Sequence, residues 1–301
     1  MTLSVLVAGT LAVIGLAVAP GTSQAAKPPP KFYLSLGDSY SVGFQPGMGA
    51  TAGYTAYVAK KTKYQLENFG CGGATTTSIV TALGCTESGF GPVAATDAAP
   101  YSGITQVAAA VAFINSHPGQ VGLITVSIGG NDVTSCANAT NPVTCVLTAS
   151  TTIQTNVTSL VGTLAAALGA NADGSAKIIG LTYPDVILGD YVFPSGSPNT
   201  SLANLSVLAF HSFVNPALNA SYTSVPNGSF VNVTEAPYKK ATAGAETPLT
   251  TTTKLSPYGT IPSAVWEICK LTYFCTLGNI HANTKGYDFI GKLVVAHLAS
   301  L

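Results

Sequence analysis

Acyl transfer by a serine requires a nucleophile, a base within hydrogen-bond reach, and donors aimed at the developing oxyanion. Ser39 stands in Phe32-Tyr33-Leu34-Ser35-Leu36-Gly37-Asp38-Ser39-Tyr40, where an apolar run stops abruptly at a glycine. A serine in such a strand-to-helix turn is exposed, and its backbone N–H is free to face a reacting carbonyl. Taken alone, Gly37-Asp38-Ser39 is weak evidence, because Asp and Ser after Gly also build ordinary turns and caps. Two further stretches carry suitable groups. Asn68-Phe69-Gly70-Cys71-Gly72-Gly73-Ala74-Thr75-Thr76 is glycine-rich, so its backbone N–H groups can approach a ligand closely. It lacks the lysine and the spacing of a phosphate-binding loop. Asn131, in Ser127-Ile128-Gly129-Gly130-Asn131-Asp132, has flanking glycines that let its amide reach a substrate as an oxyanion donor. Read in isolation, Asn131 is a turn residue at a strand end.

Four histidines compete for the role of base. His117 ends a helical stretch beside Pro118, His211 falls inside a helical stretch, and His297 is in step with Ile290 and Val294 near the chain end. His281 alone lies after a loop and just before the last helical stretch, which makes it the candidate base.

These stretches, taken in order, resemble the SGNH (GDSL-type) hydrolase family. Gly37-Asp38-Ser39 looks like its first block, Asn68 to Thr76 its second with Gly73 as the family glycine, and Gly129-Gly130-Asn131-Asp132 its third, G-x-N-D. His281, in Asn279-Ile280-His281-Ala282-Asn283, resembles its last block. The resemblance implies a three-layer α/β/α sandwich with a parallel, flavodoxin-like sheet. It also implies Ser39 as nucleophile and His281 as base, with no cofactor and no metal. The N–H groups of Ser39 and Gly73 and the amide of Asn131 would form the oxyanion hole, and Asp38 would be a structural part of the first turn. The last block departs from the family form D-x-x-H, since Gly278 occupies the aspartate's place. No Asp or Glu lies between Cys269 and His281. Loss of an orienting carboxylate can cost about 10⁴ in turnover. A backbone carbonyl of Thr276-Leu277-Gly278 is therefore the expected partner of His281, giving a Ser–His dyad, with Glu267 as the second choice.

The elements that must position these residues follow from periodicity. Phe32–Leu36, Val121–Ile128, Lys177–Tyr183 and Ser229–Val233 are short runs that read as strands. Tyr54–Lys63, Ile104–Asn115, Thr151–Leu168, Ser201–Leu218 and Asn283–Leu301 read as helices. Continuous apolar strands alternating with helices predict a parallel sheet covered on both faces. Ligands in such sheets bind beyond the C-terminal strand ends, where the Ser39 and Asn131 turns fall. Pocket walls are expected from the loops Phe90–Tyr101 and Ala241–Ser263.

The chain has 301 residues, 47% hydrophobic and 8% charged, with zero formal net charge and no arginine among its basic residues. Without arginine or a basic tract, nucleic-acid binding is excluded as an expectation. Leu3–Pro20 is an apolar stretch followed by Ser23-Gln24-Ala25, which predicts a leader cleaved after Ala25 and an exported protein. No basic residue precedes it, as expected if the true start lay upstream. Residues 26–31 read as a proline-rich linker, and 32–301 as one domain. No later segment is apolar and long enough to insert stably into a membrane. Cys71, Cys85, Cys136, Cys145, Cys269 and Cys275 read as disulfides in an exported chain, neighbour pairing being the simplest of about 15 connectivities. The expectation is thus a secreted, monomeric esterase or lipase acting on a small-molecule, lipid or glycan ester. A polysaccharide deacetylase and a non-catalytic glycan-binding protein are the alternatives.

Overall fold

The computed structural model describes Met1 and residues 31–85, 99, 101–171, 175–194, 196–237 and 249–301. The expected leader and most of the linker lie outside these residues, as does most of the expected Phe90–Tyr101 wall.

Five parallel strands form the central sheet: β1 (Phe32–Gly37), β2 (Gln65–Asn68), β3 (Val121–Ser127), β4 (Lys177–Leu181) and β5 (Gly228–Val231). Their order, β2-β1-β3-β4-β5, reverses direction at β1. The crevice between β1 and β3 is therefore the topological switch point, where open α/β sheets take their ligands. The helices between strands are α1 (Gly53–Thr62), α2 (Gln106–Ser116), α3 (Pro142–Asn171), α4 (Thr200–Ala209) and α5 (Asn215–Tyr222). After β5 come a two-stranded antiparallel hairpin, β6 (Thr252–Leu255) and β7 (Gly259–Pro262), then α6 (Ser263–Leu271) and α7 (Thr284–Leu298).

Alternation along the strands divides the core into two layers. Leu34 and Leu36 of β1, Ile124 and Val126 of β3 and Ile178 of β4 pack with Ile114 of α2, Val157 and Val161 of α3, and Leu218 of α5. The alternate residues, Tyr33, Leu123, Ile179 and Leu181, face Tyr54 and Val58 of α1 and Ile290 and Val294 of α7. Burying a large apolar side chain contributes about 1.5–3 kcal/mol, so each layer is held by its own strand residues. The hydroxyls on the second face pair with each other: Tyr33 Oη lies 2.7 Å and Tyr54 Oη 3.3 Å from Thr125 Oγ1. A third, smaller cluster joins α4, α6 and β7 through Ala203, Ile261, Val265 and Ile268.

The structure differs from the expectation in several elements, among them α6 (Ser263–Leu271), which was not anticipated. β2 is an added edge strand, and its Gln-Leu-Glu-Asn sequence has no apolar run to mark it. The long helix begins at Pro142, nine residues before the expected start, because proline at a first helical position gives up no hydrogen bond. The expected helix over 201–218 is divided into α4 and α5 by a π-helical turn at Phe210–Val214. Pro216 has no N–H to continue the α-helical ladder, and the widened turn lies just ahead of it. Residues 252–262, expected as an irregular loop, form the β6–β7 hairpin.

Two glycines test this packing. A methyl group at Gly180 of β4 would fall inside the ring of Tyr222, which is fully buried across that strand. Gly180→Ala is expected to destabilise by about 1–3 kcal/mol through overpacking. Gly162, within α3, has open space around its missing side chain. Gly162→Ala is expected to stabilise by about 0.5–1 kcal/mol. Urea midpoints of the two variants should move in opposite directions from wild type.

Candidate active site

β1 ends inside the protein, so its last backbone groups need partners other than water. Gly37 N donates to Gln106 Oε1 at 2.6 Å, and Gly37 O accepts from Gln106 Nε2 at 3.1 Å and from Cys71 N at 2.9 Å. Gly37 sits at φ +136°, and a side chain there would strike the Ser127 carbonyl, so only glycine fits this exit from the strand. Asp38 N then donates to Ser127 O of β3 at 3.1 Å. Ser41 Oγ donates back to Leu36 O at 2.8 Å, closing the turn that carries Ser39. Ser39 is 9% exposed.

Asp38 is fully buried and structural in its contacts. Its carboxyl accepts from Tyr183 Oη at 2.6 Å and from Tyr40 N at 3.0 Å. Burial pushes its pKa up to about 7, against the opposing effect of those hydrogen bonds. Tyr183 enters from the segment after β4, and a side chain on Gly130 would press on its ring. The first, third and fourth strand ends thus meet through one carboxyl and one phenol.

The second glycine-rich stretch is fastened to the third block. Asn131 Nδ2 donates to Ala74 O at 2.8 Å. Asp132 accepts from Thr76 N at 3.0 Å and from Thr76 Oγ1 at 2.7 Å. Gly73, next to Ala74, has φ +84°, a conformation that side chains rarely adopt. Asn68 joins the same loop to the first turn, its Nδ2 donating to Ser41 O at 2.9 Å and its Oδ1 accepting from Gly70 N at 3.0 Å.

His281 is 4% exposed and lies between the Tyr40 and Phe44 rings, with centroid distances of 6.1 and 4.5 Å. Neither expected partner is found. Glu267 is engaged with Lys270 at 2.7 Å, and the acceptor at His281 Nδ1 is not a backbone carbonyl. It is the side chain of Asn279, whose Oδ1 lies 2.8 Å from Nδ1 and 3.1 Å from His281 N. The backbone N–H can only donate, so the amide atom facing it must be the oxygen. Nδ1 therefore carries the proton, and Nε2 keeps its lone pair. Burial lowers the His281 pKa to about 4. Asn279 was missed in the sequence because the family's acid is sought three residues before the histidine, and this group sits two before, in an Asx-type turn.

Three tyrosine hydroxyls tie this part of the chain to the Ser39 turn. Tyr40 Oη donates to Ile280 O at 2.7 Å, Tyr287 Oη to Phe44 O at 2.8 Å, and Tyr273 Oη to Gln45 Oε1 at 2.9 Å. The disulfides join Cys71 to Cys85, Cys136 to Cys145 and Cys269 to Cys275. Each closes a short loop, beside the Gly73 stretch, after Asn131, and ahead of His281 respectively.

Ser39 and Asn131 line one cleft, together with Asp38, Tyr183 and Ile280, the neighbour of His281. Gly73 joins this group through Ala74, the acceptor of the Asn131 amide. The other histidines lie elsewhere: His117 stacks on Phe113 at 4.1 Å, and His211 pairs with Glu235 at 3.3 Å. No described residue of 241–263 lines the cleft. Its walls come instead from the turn after β3, the start of α3, the segment after β4, and α4. Among the described residues there is no cluster of metal-ligating side chains and no helix long and apolar enough to cross a membrane.

A family model described as GDSL-like lipase/acylhydrolase matches residues 35–289. Among solved structures, an X-ray structure of a Bacillus subtilis protein aligns with a TM-score of 0.51 and 13% identity, over 90% of this chain and 57% of that one. The chain thus spans little more than half of that protein's length. The lipase Lip_vut3 from a goat rumen metagenome aligns with a TM-score of 0.51 and 17% identity, over 88% of this chain and 96% of that one. At these identities the likeness is one of fold. No curated protein matches the chain. With all four of its short blocks inside the matched span, the chain belongs to the GDSL-like lipase/acylhydrolase family, the SGNH hydrolases.

Proposed function

We propose that the chain hydrolyses carboxylic esters through an acyl-enzyme on Ser39, with His281 as base and Asn279 as the residue that positions it. The observation that carries this reading is the double acceptance by Asn279 Oδ1 from His281 N and Nδ1. It leaves Nε2 as the only imidazole nitrogen able to take a proton, which is the tautomer a serine nucleophile needs.

Ser39 Oγ attacks the ester carbonyl carbon while His281 Nε2 takes its proton. The oxyanion receives hydrogen bonds from the N–H groups of Ser39 and Gly73 and from Asn131, whose amide has a second N–H beside the one bound to Ala74 O. Collapse expels the alcohol, which takes the proton back from His281. Water then attacks the acyl-serine while His281 accepts its proton; the C–Oγ bond breaks as His281 passes that proton to Ser39 Oγ, and the carboxylic acid leaves. No metal or cofactor takes part in these steps. Asn279 is neutral, so it orients the imidazole without a charge to stabilise the imidazolium. A base with so low a pKa remains unprotonated into the acid range but has less proton affinity in the transition state.

The reading extends to cellular context. Cleavage after Ala25 would release residues 32–301 as a single secreted hydrolase domain behind a short linker, acting as a monomer. Three local disulfides suit an oxidising compartment.

Ser39→Ala in the mature chain should lower turnover of p-nitrophenyl esters by 10³-fold or more. Turnover at the wild-type level would remove Ser39 from the reaction. The acid limb of kcat/KM should fall near pH 4 rather than near the ordinary histidine value, since it reports the free-enzyme base. Asn279→Asp should raise the His281 pKa by adding an anion beside Nδ1, moving both that limb and the His281 NMR titration upward. Asn279→Ala should lower kcat about 10- to 100-fold with little change in KM. An acid limb that stays in place in Asn279→Asp would show that the carboxamide does not face the base.

A further inference from the structure

The cleft beside Ser39 is partly open to solvent and has a cavity volume of about 70 Å³. Leu202, Leu205 and Ala209 reach it from α4 at the spacing of one helical stripe. Val133, Cys136 and Val146 reach it from the turn after β3 and the start of α3. The Cys136–Cys145 bridge closes the loop that carries this second wall.

Apart from Ser39 and Asn131, polar side chains in the lining are turned to internal partners. Asp38 is held by Tyr183 and Tyr40. Thr134 Oγ1 donates to Gly130 O at 2.6 Å, and Ser206 Oγ to Asp185 Oδ2 at 2.8 Å. A sugar placed here would lose water from its hydroxyls and find those groups already engaged. An alkyl chain would gain by the same burial. The position of the cleft also decides which part of an ester enters it. The leaving alcohol must face His281, which returns its proton, and only Ile280 of the histidine loop borders the cleft. Asn131 and α4 border the rest of it, on the side left for the acyl group, which stays bonded to Ser39 through both half-reactions.

We propose that this cavity is the acyl-chain site, that the substrates are esters of medium-chain fatty acids rather than acetylated polysaccharides, and that Ala209 sets the chain length admitted. The inference rests on the assignment of Ser39 as nucleophile. Ala209 is buried and is the smallest side chain of the α4 stripe, so a larger residue there fills the cavity.

The test is kcat/KM on p-nitrophenyl acetate, butyrate and octanoate, with the alcohol held constant. In the wild type each added methylene should raise kcat/KM up to about fourfold, the equivalent of about 0.8 kcal/mol per buried CH₂. Ala209→Trp should lower octanoate turnover at least tenfold while leaving acetate within about twofold. Leu205→Trp, at a half-buried position, should act in the same direction and carries the test if Ala209→Trp does not fold, as judged by thermal unfolding and fluorophosphonate labelling of Ser39. A flat wild-type profile would overturn the proposal, as would equal loss on all three esters in a folded variant. So would faster release of acetate from acetylated xylan than of octanoate. An effect that follows the alcohol in a series of octanoyl esters would assign the cavity to the leaving group instead. Failure of the Ser39 assignment is distinguishable, because Ser39→Ala would then retain turnover on every ester.

Discussion

A parallel strand buried on both faces cannot simply stop, because its last N–H and C=O groups would be left without water. At the end of β1 the solution is a side-chain amide from another helix. Gln106 both accepts from Gly37 N and donates to Gly37 O, as a neighbouring strand would. The same Gly37 carbonyl accepts from Cys71, and the next residue donates to Ser127 of β3. Terminating the strand therefore brings the glycine-rich second stretch and the third strand to the turn that presents Ser39. Gly37 can take part only because it has no side chain to meet the Ser127 carbonyl. The candidate site follows from a backbone that had to be satisfied in a confined place.

The histidine loop reaches this turn differently. It comes from the far end of the chain and is joined to β1's exit by phenols, Tyr40 to Ile280 and Tyr287 to Phe44. Phenolic hydrogen bonds combine a large apolar contact with one directed donor, so they fix distance and orientation together. Asn279 adds the tautomer. A carboxylate at this place would also have supplied charge, whereas the half-buried Asn279 amide supplies only an acceptor. The arrangement separates two roles that an aspartate combines, keeping orientation and giving up electrostatic stabilisation of the imidazolium.

What could be read from the sequence followed the strength of the local signal. β1, β3 and β4 announce themselves as apolar runs ending near glycine or proline, and the helices α1, α2 and α7 start or stop within two or three residues of their expected bounds. β2 was illegible because three of its four residues are polar and only its pairing with β1 makes them a strand. The π-helical turn was illegible for a related reason: helical periodicity continues through residues 210–214 in the sequence, while the backbone widens ahead of Pro216. In the site, residue types were legible and partnerships were not. Ser39, Gly73, Asn131 and His281 belong to short blocks, whereas Gln106, Tyr183 and Asn279 act through contacts that only the tertiary fold creates. The cleft walls are illegible in the same way, since Ala209 and Val146 are unremarkable until α4 and α3 place them around one space.

Electrostatics here is governed by burial rather than by ion pairs. Only 8% of residues are charged, and the described ion pairs His211–Glu235 and Lys270–Glu267 lie away from the cleft. Around it, desolvation moves groups in opposite directions. Asp38, and Asp185 behind the Ser206 wall, are pushed up to about 7, while His281 is lowered to about 4. Each carboxyl holds its proton in the folded state at a pH where the unfolded chain has lost it, so its contribution to stability declines as pH rises from about 4 to about 7. His281 has the reverse linkage: the unfolded chain binds the extra proton between about 4 and 6.5, so stability is gained as pH rises through that window. The two effects oppose each other across the acid range. A neutral His281 and a protonated turn carboxyl can thus coexist without a charged partner for either.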